Sequence, residues 1–232
     1  MQKKFRTILA LSFLATCIAP VFGQTAPMLS PAPTPTITVR IHDYVGVAPK
    51  TLEHAEELTS EILREAGVAV IWLECYPVPV EKRQPTCDLP SGPLGFVLNL
   101  VDQIQCLSPN LREIAMGVAL IPPDGSEGHR AYLSIHQARG AAHEYSMPLE
   151  VVLGLGAAHE LGHLLLGENA HTASGLMKAR WGANELKNWS RRNLSFTPQQ
   201  AERIQANLRR RNGEASPSTA AIQVRDAAQA AD

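Results

Sequence analysis

The segment TITVRIHDYVGVAPKTLEHAEELTSEILREAGVAVIWLEC, Thr36–Cys75, decides the fold of this chain. Apolar and polar residues alternate over residues 36–45, which predicts a strand, and residues 48–67 carry apolar side chains at helical spacing up to a terminal glycine. Residues 68–75 form a continuous apolar run rich in β-branched residues, which is typical of a strand covered on both faces. Together these elements predict a β-α-β unit, and therefore a parallel pair of strands with a right-handed crossover. The helix should bury Leu52, Ala55, Leu58, Ile62 and Leu63.

Three further strands are predicted downstream, where apolar segments are separated by turns rich in Pro, Gly, Asp and Ser. They are GFVLNLV at residues 95–101, MGVALIP at residues 116–122 and RAYLSIHQA at residues 130–138. The last of the three is the candidate edge strand of the sheet.

Two more helices are predicted. The first, SMPLEVVLGLGAAHELGHLLLG, spans residues 146–167, with Ser146 as its cap and Gly167 placed to end it in a left-handed conformation. The second begins at its cap Thr197 and has Pro198 at the first helical position. The order of elements predicts one α/β (α+β) domain, with a mixed, twisted sheet of about four to five strands.

We place this domain at residues 37–212. A proline-rich linker at residues 24–36 precedes it, and the tail at residues 213–232 is predicted to be disordered because Ala, Ser and Gln dominate it. The chain therefore has room for one domain with a substantial core.

Residues 1–23 are predicted to be a secretory signal peptide. Basic residues begin the segment, an apolar stretch follows, and Val21 and Gly23 stand at positions −3 and −1 of a cleavage site. We therefore expect a secreted or periplasmic protein with no stable membrane association after cleavage. A lipoprotein attached through Cys17 is a minor alternative, since a threonine directly before the cysteine suits that signal poorly.

The charge of the chain argues against nucleic acid as a partner. The leader holds three basic residues and no acidic ones, so its removal takes the formal net charge from −1 to −4. No basic run is interleaved with aromatic residues. The one dense basic cluster, Arg209–Arg211, falls at the end of a predicted helix, where it suits the helix dipole. Nothing in the sequence favours oligomerisation, and we expect a monomer.

Cys75, Cys87 and Cys106 remain after the leader is removed. An exported chain can form disulfides, and Cys75 and Cys87 flank a proline-rich loop that a bridge would close. We predict that pair and leave Cys106 as a buried thiol.

The motif HELGH in the long helix points to a metal site. His159 and His163 are four residues apart, so they project from one helix face, and both can reach one ion at about 2.0–2.1 Å, the usual zinc–nitrogen length. Glu160 lies beside the first ligand but off the metal line, where it can take the proton of a zinc-bound water. The alternative is an ordinary core helix that carries these residues by chance. Burying the Glu160 carboxylate without a partner would, however, cost considerable free energy. The motif therefore favours one catalytic Zn²⁺ ion.

Extended to HELGHLLLGENAH…GLM, the motif resembles that of the metzincin clan of zinc peptidases, H-E-x-x-H-x-x-G-x-x-H followed by a methionine turn. The resemblance implies that His159, His163 and His171 are the metal ligands and that Glu160 is the general base. It also implies an extended peptide substrate bound antiparallel to the edge of the sheet.

In the same resemblance Gly167 is the turn after the helix, and Met177 is the hydrophobic floor beneath the metal. The spacing departs from the pattern, because three residues rather than two separate His163 from Gly167 and Gly167 from His171. One extra helical residue rotates the exit of the chain by about 100°.

Two carboxylates compete with His171 for the third position. Glu168 is too near the helix end to swing round easily, whereas Glu185 would give a site of two histidines and one downstream glutamate. The ligand set is therefore left open at this position.

The sequence predicts an exported zinc-dependent endopeptidase that acts on a peptide or protein substrate. The alternative is a non-catalytic module in which zinc only braces the junction between helix and loop, leaving a scaffold that binds a partner. Structural zinc sites are normally closed by four protein ligands, whereas three ligands and an open position suit catalysis. This favours the peptidase.

Overall fold

The computed structural model describes residues 33–76, 87, 92–104, 115–123, 127–168, 171–187, 189 and 194–213. The predicted signal peptide, Cys106 and the tail after Gly213 lie outside these residues. All the elements below belong to the unit Thr34–Asp232. The domain limits inferred from composition stay a prediction.

The described residues form five strands and five helices. In chain order they are β1 (Thr36–Asp43), α1 (Pro49–Glu65), β2 (Ala69–Tyr76), β3 (Gly95–Val101), β4 (Gly117–Leu120), β5 (Arg130–Ser134), α2 (Ile135–Tyr145), α3 (Leu149–Leu166), α4 (Ala183–Lys187) and α5 (Pro198–Arg211).

The strands form one mixed sheet in the order β2-β1-β3-β5-β4. β1 pairs in parallel with both β2 and β3, β3 pairs in parallel with β5, and β4 runs antiparallel to β5. This confirms the α/β fold class, the five strands and the parallel pair of the N-terminal unit.

The prediction that β2 is covered on both faces is wrong. β2 lies at one edge of the sheet, and its residues Ile71 and Glu74 are exposed. The fully covered strand is β3, whose residues are buried from Gly95 to Leu100. A continuous apolar run reports how well a strand packs but not its place in the sheet, which depends on pairings distant in sequence.

The segment at residues 130–138 is also not one edge strand. It ends as a strand at Ser134, whose side chain accepts a hydrogen bond from the Gln137 backbone N–H and caps α2. β5 is an inner strand, and the short antiparallel β4 lies at the edge instead. A cap within an alternating segment converts its second half into a helix.

The core lies between the sheet and helices α1 and α3. All the apolar positions predicted for α1 are buried. The helices approach closely at Gly154, where an added Cβ would lie 2.9 Å from Leu58 Cδ2 and 3.0 Å from the Ala55 carbonyl oxygen. The Thr59 hydroxyl donates hydrogen bonds to the carbonyls of Ala55 (2.7 Å) and Gly154 (3.1 Å), which holds the two helices together.

α3 is the central helix of the domain. Its mean hydropathy of 1.3 and its length would suit a membrane span, but 83% of it is buried inside the protein, and packing against the sheet accounts for its composition. The predicted end is confirmed, since Gly167 closes the helix at φ 71°. The predicted cap is wrong: Pro148 stands at the N-cap, and Ser146 closes α2 at φ 54°.

Two local predictions are confirmed. Thr197 caps α5 and forms a reciprocal capping box with Gln200, with Pro198 at the start of the helix. Cys75 and Cys87 form a disulfide that joins the end of β2 to the chain twelve residues later.

Glu56, on α1, gives stability a pH dependence that can be measured. Its Oε1 atom is buried and has no hydrogen-bond partner among the described residues. Burial, with the charges of Glu74 and Glu53, raises the pKa of Glu56 from 4.5 to about 7. As the pH rises, Glu56 therefore loses its proton in the unfolded chain before it does so in the folded protein. Glu56 destabilises the folded state increasingly between about pH 4.5 and 7 for this reason.

We expect Glu56→Gln to raise the free energy of unfolding by about 1–2 kcal/mol at pH 8, after allowance for solvent screening, and to have little effect at pH 4. Urea denaturation of both proteins across this pH range measures the difference. Glu57→Gln, at an exposed position of α1, controls for the loss of one negative charge. A difference that stays constant with pH would contradict the assignment.

Candidate metal centre

Three residues of the HELGH motif are buried on α3. His159, Glu160 and His163 are 8%, 6% and 4% exposed in a helix that otherwise buries apolar side chains. Imidazole and carboxylate groups are expensive to bury in such surroundings unless they are paired or bind a metal. The burial of these three residues therefore favours a metal site over an ordinary polar helix face.

The structure brings His159, His163 and His171 together. One ring nitrogen from each lies within 4.8 Å of the corresponding nitrogens of the other two. The Nε2 atoms of His159 and His163 are 3.1 Å apart. The ring of His171 stacks on His159 with centroids 5.5 Å apart, and meets His163 edge-on at 4.9 Å.

Backbone carbonyls fix the tautomers of the two helical histidines. His159 Nδ1 lies 2.7 Å from the carbonyl oxygen of Leu176, and His163 Nδ1 lies 3.0 Å from that of Glu168. A carbonyl only accepts, so each Nδ1 carries the proton and donates it. The lone pair of each neutral ring is therefore on Nε2, the atom that faces the other histidine.

Both rings are held in the neutral form. Burial lowers the pKa of His159 to about 4, and the neighbouring His163 and His171 rings lower it further against the opposing effect of the Leu176 carbonyl. Burial also lowers the pKa of His163. Neutral imidazole is the form that binds a metal, so no proton has to be displaced from Nε2 near pH 7.

This donor set fits a zinc ion. Two Nε2 lone pairs 3.1 Å apart cannot hydrogen-bond to each other when both protons are on Nδ1, so the contact is repulsive on its own. Ligands at about 2.0–2.1 Å in a tetrahedral shell are separated by about 3.3 Å, which is close to the observed distance. An ion between the rings would turn the repulsion into coordination.

Backbone hydrogen bonds hold the segment that begins at His171, whose ring lies beside the two helical histidines. The backbone N–H of Thr172 donates to the Met177 carbonyl at 2.8 Å, and Thr172 forms an isolated parallel β-bridge with Lys178. The Leu176 N–H donates to the Ser195 carbonyl at 3.2 Å. These bonds fix the return of the chain, and His171 itself remains exposed.

Met177 lies under the same helix. Its side chain is fully buried, and an added Cβ on Gly162 would lie 2.6 Å from its sulfur atom. The absence of a side chain at Gly162 thus gives the methionine room against α3. Leu176, which precedes Met177, supplies the carbonyl that orients His159. The same carbonyl accepts a hydrogen bond from Trp181 Nε1 at 3.2 Å.

Glu160 points towards the edge strand β4. Its carboxylate lies against Gly117, where an added Cβ would be 2.6 Å from Glu160 Cδ. No described residue forms a hydrogen bond with this carboxylate, and burial raises its pKa to about 8. A neighbouring cation would favour the ionised form, and a pKa near neutrality suits a general base.

Sequence reasoning missed Gly117 and the carbonyls of Leu176 and Glu168. Glycine in a short strand carries no chemical signal, and every residue has a carbonyl. Only the fold shows that Gly117 makes room for Glu160 and that two carbonyls orient the histidines.

The competing carboxylates are engaged elsewhere. Glu185 accepts hydrogen bonds from Lys178 Nζ (2.6 and 2.8 Å) and from the Gly182 N–H (2.6 Å), and these interactions lower its pKa. The side chain of Glu168 pairs with Arg203 at 2.7 Å. Neither belongs to the cluster of ligand atoms found among the described residues.

The chain is similar to the crystal structure of archaemetzincin from Methanopyrus kandleri, with 20% sequence identity and a TM-score of 0.47, over 78% of this chain and 99% of the other. A scan of protein-family models and a search of curated proteins found no match.

Proposed function

We propose that this chain is an exported zinc-dependent endopeptidase. His159, His163 and His171 hold one Zn²⁺ ion, Glu160 is the general base, and the substrate is a peptide or protein. The observation that carries the proposal is the 3.1 Å approach of His159 Nε2 and His163 Nε2 while both Nδ1 atoms bond to carbonyls, because a cation bound between the two Nε2 lone pairs would offset their repulsion.

Zinc bound by three histidines would polarise a substrate carbonyl and lower the pKa of water at its open position. The residues of the chain supply the rest of the chemistry. Glu160, buried beside His159, accepts the proton of the attacking water and delivers it to the leaving amine. The Nδ1–H bonds to Leu176 and Glu168 keep both rings in the tautomer that leaves Nε2 free.

The edge strand β4 supports a peptide as the substrate. β4 pairs with β5 on one side, and no other described strand pairs with its outer side. An extended peptide can add to such an edge through main-chain hydrogen bonds. Because the Glu160 carboxylate lies against Gly117 of the same strand, a bound peptide would pass close to the base.

Three features support the remaining parts of the proposal. A set of three histidines leaves one position open, as catalytic zinc sites do. The Cys75–Cys87 disulfide suits an oxidising compartment, which agrees with the predicted leader and a secreted or periplasmic location. Gly167 and Met177 support the site by turning the chain after α3 and packing beneath it.

Zinc analysis and cleavage of a mixed peptide pool test the proposal. We expect the purified protein to hold one zinc per chain at neutral pH, to cleave peptides internally, and to lose and regain activity with removal and return of zinc. A protein that binds no zinc would contradict the proposal. Zinc binding without cleavage of any peptide would favour the zinc-braced binding module instead.

A further inference from the structure

The end of α3 is held by a polar stripe on α5. We define the stripe as Arg203, Asn207 and Arg211, which are four residues apart and therefore lie on one helix face. All three contact the last turn of α3 or the residue just beyond Gly167. The stripe thus meets the chain where it leaves the HELGH motif and turns towards His171.

Two stripe residues satisfy the carbonyls that end α3. Arg211 Nη2 donates to the Leu164 carbonyl at 2.8 Å, and Asn207 Nδ2 donates to those of Leu165 (3.0 Å) and Leu166 (3.1 Å). The last carbonyls of a helix have no partner within the helix. Here a second helix supplies these partners, and Arg211 is itself buried, with its guanidinium 5.2 Å from the Phe96 ring centroid.

The third stripe residue reaches the site through Glu168. Arg203 donates two parallel hydrogen bonds to the Glu168 carboxylate, at 2.7 and 2.9 Å. The backbone carbonyl of Glu168 accepts the Nδ1–H bond of His163 at 3.0 Å. The ion pair therefore holds the side chain of Glu168, and the backbone carbonyl of the same residue orients His163.

We propose that Arg203 is a positioning residue for the metal centre, acting through Glu168 to orient His163. The stripe contacts the chain at the point where its spacing departs from the metzincin pattern, with one extra residue on each side of Gly167. This inference rests on the proposed zinc site.

The zinc dissociation constant of Arg203→Ala, measured by competition with a chromophoric chelator, tests the inference. Loss of a partner that orients a ligand typically weakens metal binding 10–100-fold, and we expect about tenfold. Electrostatics alone predicts the opposite sign, because removing a cation near the site should strengthen zinc binding. The midpoint of thermal unfolding of the zinc-free protein should hardly change, since the Arg203–Glu168 pair is exposed.

Arg210→Ala, at an exposed position of the same helix, is the matched control and should bind zinc as the parent does. Glu168→Ala should weaken zinc binding about as much as Arg203→Ala, and the double variant should be no weaker than either, because both act through one contact. The inference is wrong if Arg203→Ala binds zinc as tightly as the parent, or if Arg210→Ala weakens binding equally. A parent that binds no zinc would overturn the proposed function as well.

Discussion

Glu160→Gln should lower kcat/KM for peptide cleavage by about 10²–10⁴-fold while the protein keeps one zinc per chain. The amide has the size of the carboxylate but cannot accept the proton of the attacking water. Glu160 is buried without a hydrogen bond from any described residue, so the substitution breaks no such bond. Steady-state kinetics and zinc analysis of the same preparation separate the loss of chemistry from the loss of metal.

The matched control is Glu150→Gln, which removes a carboxylate from the first turn of the same helix. It should cleave peptides at the rate of the parent. If Glu160→Gln retains the parent's rate, Glu160 is not the base. If Glu160→Gln loses its zinc, Glu160 is needed to maintain the metal site, and the loss of activity says nothing about proton transfer.

His171→Ala should weaken zinc binding by at least about 100-fold, whereas Glu185→Ala should leave it unchanged. The nitrogen of His171 lies within 4.8 Å of those of the two helical histidines, whereas Glu185 is held by Lys178 and the Gly182 N–H. Removing one of three ligands leaves a site that water must complete. Competition titrations with a zinc chelator at neutral pH measure both effects.

His159→Ala provides the reference for complete loss of a ligand, since its ring is buried on α3. A His171→Ala protein that binds zinc like the parent would remove His171 from the ligand set. If Glu185→Ala then loses its zinc, the site has two histidines and one glutamate, and Glu185 must leave Lys178 to reach the metal.

The sequence predicted those parts of the fold that depend on local pattern. Helix α1 buries the residues at its apolar spacing, Thr197 caps α5 as its sequence indicates, and Gly167 takes the left-handed conformation that ends α3. Each of these depends on residues only a few positions apart. The disulfide was predictable because its cysteines are only twelve residues apart in the sequence.

The wrong predictions concern which elements lie next to each other in the fold when they are distant in the sequence. The apolar run of β2 suits an inner strand, yet the parallel β3 pairs with the other side of β1 and leaves β2 at the edge. Alternation continues past Ser134, but its side chain caps α2 there. The cluster Arg209–Arg211 lies in the last turn of α5, as its sequence indicates, but nothing in the sequence indicated that Arg211 is buried against α3.

For the site, spacing alone placed His159 and His163 on one face of a helix, and their approach follows from that spacing. The position of His171 could not be obtained in this way. It depends on the hydrogen bond from the Thr172 N–H to the Met177 carbonyl and on that from the Leu176 N–H to the carbonyl of Ser195, further along the chain.

The opposed nitrogens of His159 and His163 have a consequence for the lifetime of the zinc-free protein. A molecule that folds without zinc keeps two lone pairs facing each other in its interior, and opening of the segment that bears His171 would relieve their repulsion. Such molecules should be nicked by housekeeping proteases sooner than their loaded counterparts. The abundance of the protein would then follow the metal supply of its surroundings, without any change in the expression of its gene.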